Sequence, residues 1–410
     1  MCGGTLVKPK LRPLEARPIL HQGQESILLR DPLGLAPGQV VVPASWGPLL
    51  ALCDGTRDLP ALRAALAVRT GLLLSEESLA QVIRRLDEAL LLEGERFEAA
   101  REAALRAYRA APFRPPASAG ASYPEDPAAL RALLQGFVEG ADLPEEMEVQ
   151  GPFRGLISPH IDYARGGPVY ARVWRLAAPT LEQADLVVLF GTDHQGAPGR
   201  LTLTEQHYAT PFGVLPTDRE VVRALAEAIG PEAAFEDELH HRTEHSVELA
   251  AVWLHYIVDG RPLPLVPILC GSFDPFIEGP ADPATHPPFV ACVEVLREVM
   301  AARRTLVVAA ADLAHVGPAF GDPRPLDLAA RAALQAADEA LLATVVAGDA
   351  GAFFRTIQAE GDRRRVCGLP PIYLTLRLLE GAEGIQVGYE RCPADAQGGS
   401  WVSICGVLLR

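Results

Sequence analysis

The chain has 410 residues, a formal net charge of −15 and 49% hydrophobic residues, a globular composition with enough apolar residues for a sizeable core. Nucleic acid is not an expected partner, because phosphate binding needs clustered Lys and Arg side chains. No apolar run approaches the ~18 residues of a transmembrane helix, and the first residues lack the apolar segment of a signal peptide. The seven cysteines form no C-x-x-C pair, which fits a reducing compartment, and we therefore predict a cytoplasmic protein without a membrane partner.

Residues 1–95 are predicted to form a small separate unit. The segments "SILLRDP" and "QVVVP" are short apolar runs closed by proline, which is typical of edge strands. The segment "ASWGPLLALCDGTRDLPALRAAL" predicts two helices separated by a turn at Asp54-Gly55. An amphipathic helix is predicted between a Ser75 cap and Gly94, with an apolar face formed by Leu79, Val82, Ile83, Leu86 and Leu90.

Residues 96–116 are predicted to form a charged helix and a Pro-rich linker, and residues 117–410 the main domain. Apolar runs of the main domain occupy 155–159, 185–191, 263–270 and 305–311. Helical patterns occur at 125–138, 167–178, 218–229, 244–257, 287–303 and 325–346. Apolar runs without alternation, separated by helices, indicate strands buried on both faces. We therefore predict an α/β fold with a mixed, mostly parallel sheet sandwiched between helices.

Histidines follow three of the predicted strands. The segments "LISPHIDY", "DLVVLFGTDH" and "TLVVAAADLAH" place four polar residues near strand ends, namely His160, His194, Asp312 and His315. In open α/β sheets, ligands bind beyond the carboxyl ends of the strands. His245 points to the same crevice if Thr243 caps the helix that begins in "HHRTEHSVEL". Imidazoles and a carboxylate that arrive from separate strands suit a divalent metal such as iron or zinc.

A competing motif overlaps this region. The segment "HRTEH", residues 241–245, fits the H-x-x-E-H pattern of inverted zinc peptidases. That pattern needs both histidines on one helix, whereas a helix start at Thr243 leaves His241 outside it. The peptidase interpretation is therefore the weaker alternative.

From Ala117 onwards the chain resembles the Memo family, called protein B of the AmmeMemoRadiSam system in bacteria. The resemblance implies an α/β sandwich similar to the class III extradiol dioxygenases, which cleave aromatic rings with non-haem Fe(II). It leaves the small-molecule substrate undefined. The matching motifs occur in the family's order and are "AGASYPEDPAALRALL", "ISPHIDYARGGPVYA", "LFGTDHQ", "YATPFGVLPTD", "EHSVEL", "VPILCGSF", "ADLAHVGPAFGD" and "VCGLPPIYLTLRLL".

The same resemblance implies His160 and His194 as metal ligands, and the "EHS" motif supplies a further site histidine. The family's last motif, usually S-S-D-x-x-H, is "AADLAH" here, with Ala314 where some members have a cysteine that can bind metal. Alanine cannot coordinate a metal ion, so Asp312 or His315 must supply the third ligand, and we predict Asp312. The predicted catalytic groups are His245, His315 and Asp312.

Residues 1–95 are similar to PqqD-like domains, which are small α+β, winged-helix-like modules that bind peptides beside radical-SAM enzymes. The likeness lies in "CDGTRDLPALRAAL" and "LAQVIRRLDEALLLEG". It implies a peptide or a radical-SAM enzyme as the partner. The balanced charge of this unit argues against DNA as its ligand.

Three functions remain open at this point. The first is a non-haem oxidoreductase that holds Fe(II), with Zn(II) or another divalent ion as the alternative. The second is a non-enzymatic partner of a radical-SAM enzyme, which binds a peptide or product and needs no metal. The third is a zinc-dependent hydrolase. The histidine cluster favours the first and third, Ala314 favours the second, and we predict the first.

Overall fold

The computed structural model describes residues 8–141 and 151–410, so that Cys2 lies outside the described residues. The chain divides into two compact units between Ala110 and Ala111. None of the described helices combines the length and the hydropathy that a membrane span requires.

The first unit is a three-stranded antiparallel sheet followed by four helices. The strands lie in the order β1-β2-β3 and occupy Glu15–His21 (β1), Gln24–Arg30 (β2) and Val40–Pro43 (β3). The helices are Gly47–Leu52 (α1), Leu59–Thr70 (α2), Glu76–Glu88 (α3) and Glu95–Ala110 (α4). The strands β2 and β3 were predicted, but β1 was missed because its sequence, "EARPILH", has no regular apolar alternation.

Helix α3 agrees with its prediction except at its end. The Ser75 side chain caps it by accepting a hydrogen bond from the Ser78 amide at 3.1 Å. The helix stops at Glu88, before the predicted Gly94, because Leu90 adopts a left-handed backbone with φ of 57°. Its apolar face belongs to a core confined to this unit, which includes Leu62, Leu66, Leu79, Ile83 and Leu86.

The second unit is a mixed α/β structure with a central sheet flanked by helices. Its strands are Gly155–Ser158 (β4), Leu186–Thr192 (β5), Leu201–Leu203 (β6), Tyr208–Thr210 (β7), Gly213–Leu215 (β8), Leu265–Cys270 (β9), Thr305–Ala310 (β10), Asp312–Val316 (β11), Gly384–Pro393 (β12) and Trp401–Leu409 (β13). Its helices are Pro127–Glu139 (α5), Tyr163–Gln183 (α6), Arg219–Ile229 (α7), Pro231–Phe235 (α8), Ser246–Ile257 (α9), Asp274–Glu278 (α10), Pro287–Ala302 (α11), Leu328–Val346 (α12), Ala350–Ala359 (α13) and Leu369–Leu378 (α14).

The sheet is parallel only at its centre. The four predicted apolar runs form β4, β10, β5 and β9, which pair in that order and in parallel. At one side β6 pairs with β9 antiparallel, and at the other β13 pairs antiparallel with β4, β11 and β12. The prediction of a mostly parallel sheet therefore holds for the centre alone. The loops from β12 to β13 and from β5 to β6 are short, so the chain reverses direction at each of them. Parallel strands need a longer crossover connection.

Strands β4 and β11 share one edge of β13. Val407–Leu409 pairs with β4, and the stretch from Trp401 to Ile404 pairs with β11, while β12 covers the other edge along its length. The end of β4 thus meets the start of β11, where the Ala311 amide donates to the Ser158 carbonyl at 2.8 Å. This junction brings the segments of His160 and Asp312 together.

Helices cover both faces of the sheet. Alternate strand residues such as Val188 and Phe190 pack into one core with α7, α11, α13 and α14, and their neighbours Val187 and Leu189 pack into a second core with α5, α6 and α9. The side chain of Arg114, in the predicted 96–116 linker, is completely buried in the second unit. Helix α4, from the same predicted segment, belongs to the first unit.

Candidate metal centre

His160 stands at the end of β4 and is held by fixed partners. Its side chain is 2% exposed, and its Nδ1 lies 3.0 Å from the carbonyl oxygen of Ala310. A carbonyl oxygen can only accept, so Nδ1 carries a proton, and Nε2 is the ring nitrogen that can bind an ion once its own proton is lost. The Asp312 carboxylate accepts from the His160 amide at 2.8 Å and lies 3.8 Å from Nε2.

Cys367 supplies a thiol that the sequence prediction did not place in the site. It precedes the buried helix α14, and its Sγ lies 3.3 Å from Nε2 of His160. The Thr192 hydroxyl donates to the Cys367 carbonyl at 2.9 Å. Gly368 allows the close approach to β11, because a Cβ at this position would lie 2.4 Å from the Asp312 carbonyl oxygen. The Cys367 loop is therefore fixed against the ends of both β5 and β11.

His194 and His245 share one carboxylate. His194 follows β5, His245 immediately precedes α9, and the Glu244 side chain lies 3.0 Å from Nδ1 of His194 and 3.1 Å from Nδ1 of His245. Glu244 is buried and also accepts from the Ser246 amide at 2.9 Å. The two rings stack with their centroids 4.9 Å apart. The carboxylate thus orients both imidazoles and leaves their Nε2 atoms available.

The three imidazoles form one group. The ring centroid of His160 lies 5.2 Å from that of His194 and 5.4 Å from that of His245. The ligand atoms of His160, His194 and Cys367 all lie within 4.8 Å of one another. Three donors around one ion at about 2.0–2.3 Å need separations of this order.

The charge of each of these groups depends on its neighbours. Burial alone would lower the pKa of His160, but the Asp312 carboxylate and the Cys367 sulfur outweigh it and raise the pKa to about 9. Burial alone would raise the pKa of Cys367, but His160, His315 and His194 hold it well below its ordinary value. The thiolate form of Cys367 is therefore favoured, which is the form that binds metal.

His194 and Glu244 also shift each other's pKa values. Burial opposes ionisation of both partners, but the Glu244 carboxylate raises the pKa of His194 well above its ordinary value. His194 and His245 in turn hold the pKa of Glu244 well below its ordinary value. The Glu244 carboxylate is thus charged and acts as the acceptor for both rings.

The other predicted residues lie around this centre. Asp312 is not in the group of His160, His194 and Cys367, since its carboxylate orients the His160 segment. His315 on β11 is half-buried, with Nδ1 3.1 Å from the Leu313 carbonyl oxygen and its ring packed T-shaped against that of Phe320.

The thiol comes from Cys367 and not from the position of Ala314. The Ala314 side chain is buried in a small apolar cluster with Val316 and Leu334. The signal for Cys367 was the motif "VCGLPP", in which a cysteine and a glycine precede a helix that is almost wholly apolar. This signal is weaker than that of His160 and His194, because no predicted strand or His-Glu motif directs Cys367 to the crevice.

The H-x-x-E-H pattern is not on one helix. His241 lies in the 3-10 turn Glu238–Arg242, and α9 begins at Ser246. Nδ1 of His241 lies 2.5 Å from the Tyr208 hydroxyl, and its Nε2 lies 3.0 Å from the Thr202 carbonyl oxygen. Both ring nitrogens are thus engaged outside the metal group. Thr243 ends the 3-10 turn and does not cap α9, contrary to the prediction.

The residues present fit a metal ion. Two imidazoles and a thiolate are donors that iron and zinc accept. Metal-binding histidines in proteins almost always donate their second N–H to a carboxylate or a carbonyl. His160 and His194 have such partners in Ala310 and Glu244.

Known proteins resemble this chain over most of its length. Residues 114–403 match the family described as Memo-like protein. A MEMO1 family protein of Aquifex aeolicus is 27% identical over 98% of this chain and 100% of its own length. Another, from Thermus thermophilus, is 31% identical over 65% of this chain and 74% of its own length. A third, from Methanococcoides burtonii, is 32% identical over 50% of this chain and 69% of its own length. The chain therefore belongs to the Memo-like protein family.

Proposed function

We propose that the protein is a metal-binding oxidoreductase whose ion is held by His160, His194 and Cys367. The observation that carries this proposal is the convergence of these three donor atoms within 4.8 Å of one another. Each comes from a different segment, and each has its own fixed support. This ligand set replaces the predicted one, in which Asp312 was the third ligand.

The ligand chemistry narrows the choice of metal. Imidazole and thiolate accept iron and zinc, and the softness of the thiolate also suits copper(I). We propose Fe(II) as the working metal, related to the chemistry of the extradiol dioxygenases, with Zn(II) as the alternative. A bound ion with three protein ligands supplies open positions for a small-molecule substrate and, if it is iron, redox chemistry.

The remaining site residues are placed to hold and move protons. His245 has a side chain that is 41% exposed, and Glu244 fixes its Nδ1. Its Nε2 is thus free to take a proton from a substrate that enters beside His194. Asp312 keeps the His160 segment in place, and His315 stands on the neighbouring strand β11. These are positioning and proton-transfer roles consistent with the predicted catalytic set.

The test is the metal content and metal affinity of matched variants. Cys367 supplies one of the three ligands, so Cys367→Ala should lose at least about 100-fold in affinity for Fe(II) and Zn(II). This loss exceeds the roughly 10- to 100-fold loss that is typical when a group supporting a ligand is removed. Cys292→Ala, in a buried cysteine of α11, is the control and should keep full binding. Asp312→Asn should bind with at most about a tenfold loss, since it retains an acceptor for the His160 amide.

The outcomes separate the candidates. Elemental analysis and thermal shift with each ion report binding, because an ion that binds only the folded state raises its stability. Full binding by Cys367→Ala together with loss in Asp312→Asn would restore the ligand set predicted from sequence. No binding by the wild type would favour the non-enzymatic function.

We also propose that the first unit binds a peptide, as PqqD-like domains do beside radical-SAM enzymes. In the part of the unit that the structure describes, β1 and β3 each have β2 as their sheet partner and present a second edge. Leu20 on β1 is 78% exposed, an apolar side chain beside such an edge. Extended peptides add to sheet edges through main-chain hydrogen bonds.

A fragment of residues 1–110 tests this second proposal, because it contains a complete core of its own. Extended peptides should shift the NMR signals of β1 or β3 amides, and Leu20→Asp should weaken the effect. Duplex DNA at physiological salt should produce no shift. Salt-sensitive DNA binding without any response to peptides would overturn the proposal.

A further inference from the structure

Arg114 is a buried cation that the metal centre does not use directly. Its side chain is completely buried in a chain that carries an excess of acidic residues. Its guanidinium forms an ion pair with Glu248 on α9, which is also fully buried. Burying such a pair costs desolvation energy, and so its contacts with other groups need an explanation.

The guanidinium spans the loop that carries Glu244. Its Nε donates to the His241 carbonyl at 2.6 Å, and one terminal nitrogen donates to the Glu244 carbonyl at 2.9 Å. The other terminal nitrogen donates to Glu248. The planar fork thus connects both ends of the 241–244 segment to the first turns of α9.

Glu248 anchors the same fork from the other side. Its carboxylate accepts from the Ala117 amide at 2.8 Å, the Ser118 amide at 2.8 Å and the Tyr123 hydroxyl at 2.5 Å. With Arg114, four donors converge on one carboxylate, so its position is strongly determined. The segment 117–123, which follows the predicted linker, thus fixes the carboxylate with which Arg114 pairs.

We infer that Arg114 is a positioning residue for the metal ligand His194, acting through Glu244. The Glu244 carbonyl is fixed by Arg114, and the Glu244 carboxylate lies 3.0 Å from Nδ1 of His194. The fork therefore sets the position from which the carboxylate selects the tautomer of His194 and directs its Nε2 to the ion. The inference rests on the proposed metal site but can also be tested without metal.

The experiment compares Arg114→Lys with Arg364→Lys in the full chain. Lysine keeps the charge but lacks the planar fork, so it cannot serve three acceptors in the arrangement that Arg114 does. Arg364 is a matched control, because it is a buried arginine of the same unit that pairs with Asp338 and Glu360. The probe is Co(II) alone, whose visible and thiolate charge-transfer bands report the geometry at Cys367.

Arg114→Lys should weaken Co(II) binding about 10- to 100-fold and alter the bands, while Arg364→Lys should stay within about twofold of the wild type. Wild-type affinity and bands in Arg114→Lys would overturn the inference. An equal loss in both variants would also overturn it, because it would indicate a general loss of stability. If Arg114→Lys does not fold, Tyr123→Phe loosens Glu248 more gently, and an unchanged affinity in that variant would overturn the inference.

A second readout works on the metal-free protein. In ¹⁵N-histidine NMR spectra, His194 of the wild type should show a protonated, slowly exchanging Nδ1. Arg114→Lys should lose this signature and Arg364→Lys should keep it; retention in Arg114→Lys would overturn the inference. If wild-type protein binds no Co(II), the proposed function fails, and the NMR result alone decides the role of Arg114.

Discussion

Among single residues, Asp362 is a carboxyl group near the site whose ionisation is disfavoured by burial. It lies in the turn before Cys367, and burial raises the pKa of its carboxyl group from 3.8 to about 6. The Val366 amide donates to this carboxyl at 2.9 Å, and nearby Glu360 disfavours its charge. The folded state therefore holds the Asp362 proton more tightly than the unfolded state does. This contribution to stability is present below about pH 4 and is lost as the pH rises through 6.

Asp362→Asn should remove that pH dependence. Asparagine cannot ionise, retains an acceptor for the Val366 amide and tolerates the left-handed backbone of this position, where φ is 46°. Relative to wild type, we expect a gain of about 1 kcal/mol at pH 8, after allowance for partial exposure, which vanishes near pH 4. Melting temperatures from pH 4 to 8 measure it. A difference that does not change with pH would contradict the raised pKa.

At the scale of elements, the histidines at strand ends and His245 before α9 were predictable, but Cys367 before α14 was not. The runs at 155–159, 185–191, 263–270 and 305–311 match β4, β5, β9 and β10, because strands buried on both faces need long apolar runs. His160 and His194 follow directly from those strand ends. Cys367 does not, because its loop is positioned by tertiary contacts with Thr192 and Asp312.

The contact between β5 and α9 depends on one glycine. A Cβ on Gly191 would lie 2.6 Å from both the Ser246 hydroxyl oxygen and a Val247 methyl. The Ser246 hydroxyl also donates to the Thr192 carbonyl at 2.9 Å. This close approach holds the first turn of α9, and with it His245, beside the end of β5.

Gly191→Ala should therefore damage the site and not only the fold. Overpacking of this kind costs typically about 1–3 kcal/mol, and the displaced α9 should move Glu244 away from His194 and lower the metal affinity. Gly136→Ala on α5 is the control, since its added Cβ meets nothing within 4 Å. It should be neutral or stabilise by up to about 1 kcal/mol. Thermal melts and metal titrations of both variants check the prediction, and unchanged metal binding in Gly191→Ala would contradict it.

In the whole molecule, the parallel centre of the sheet was accessible from sequence, but the antiparallel flank was not. The β13 segment, "WVSICGVLL", is an apolar run that looks like a further buried strand. Nothing in its composition indicates that it reverses direction and pairs with β4 and β11 at once. The bulge between Asp312 and His315, where β11 changes register on β13, is likewise a result of tertiary pairing.

The shared edge of β13 also has a consequence for the order of synthesis. Ribosomes make β4, β10 and Cys367 before they make β13, yet β13 is the strand that pairs with both β4 and β11. Until it emerges, the fully buried "GLIS" strand presents an open backbone edge, which is a template for unwanted pairing. A nascent chain thus carries all three donor atoms before the frame that aligns His160 with Asp312 is complete. For the proposed metal site, we therefore expect the native ligand geometry to require residues 401–409.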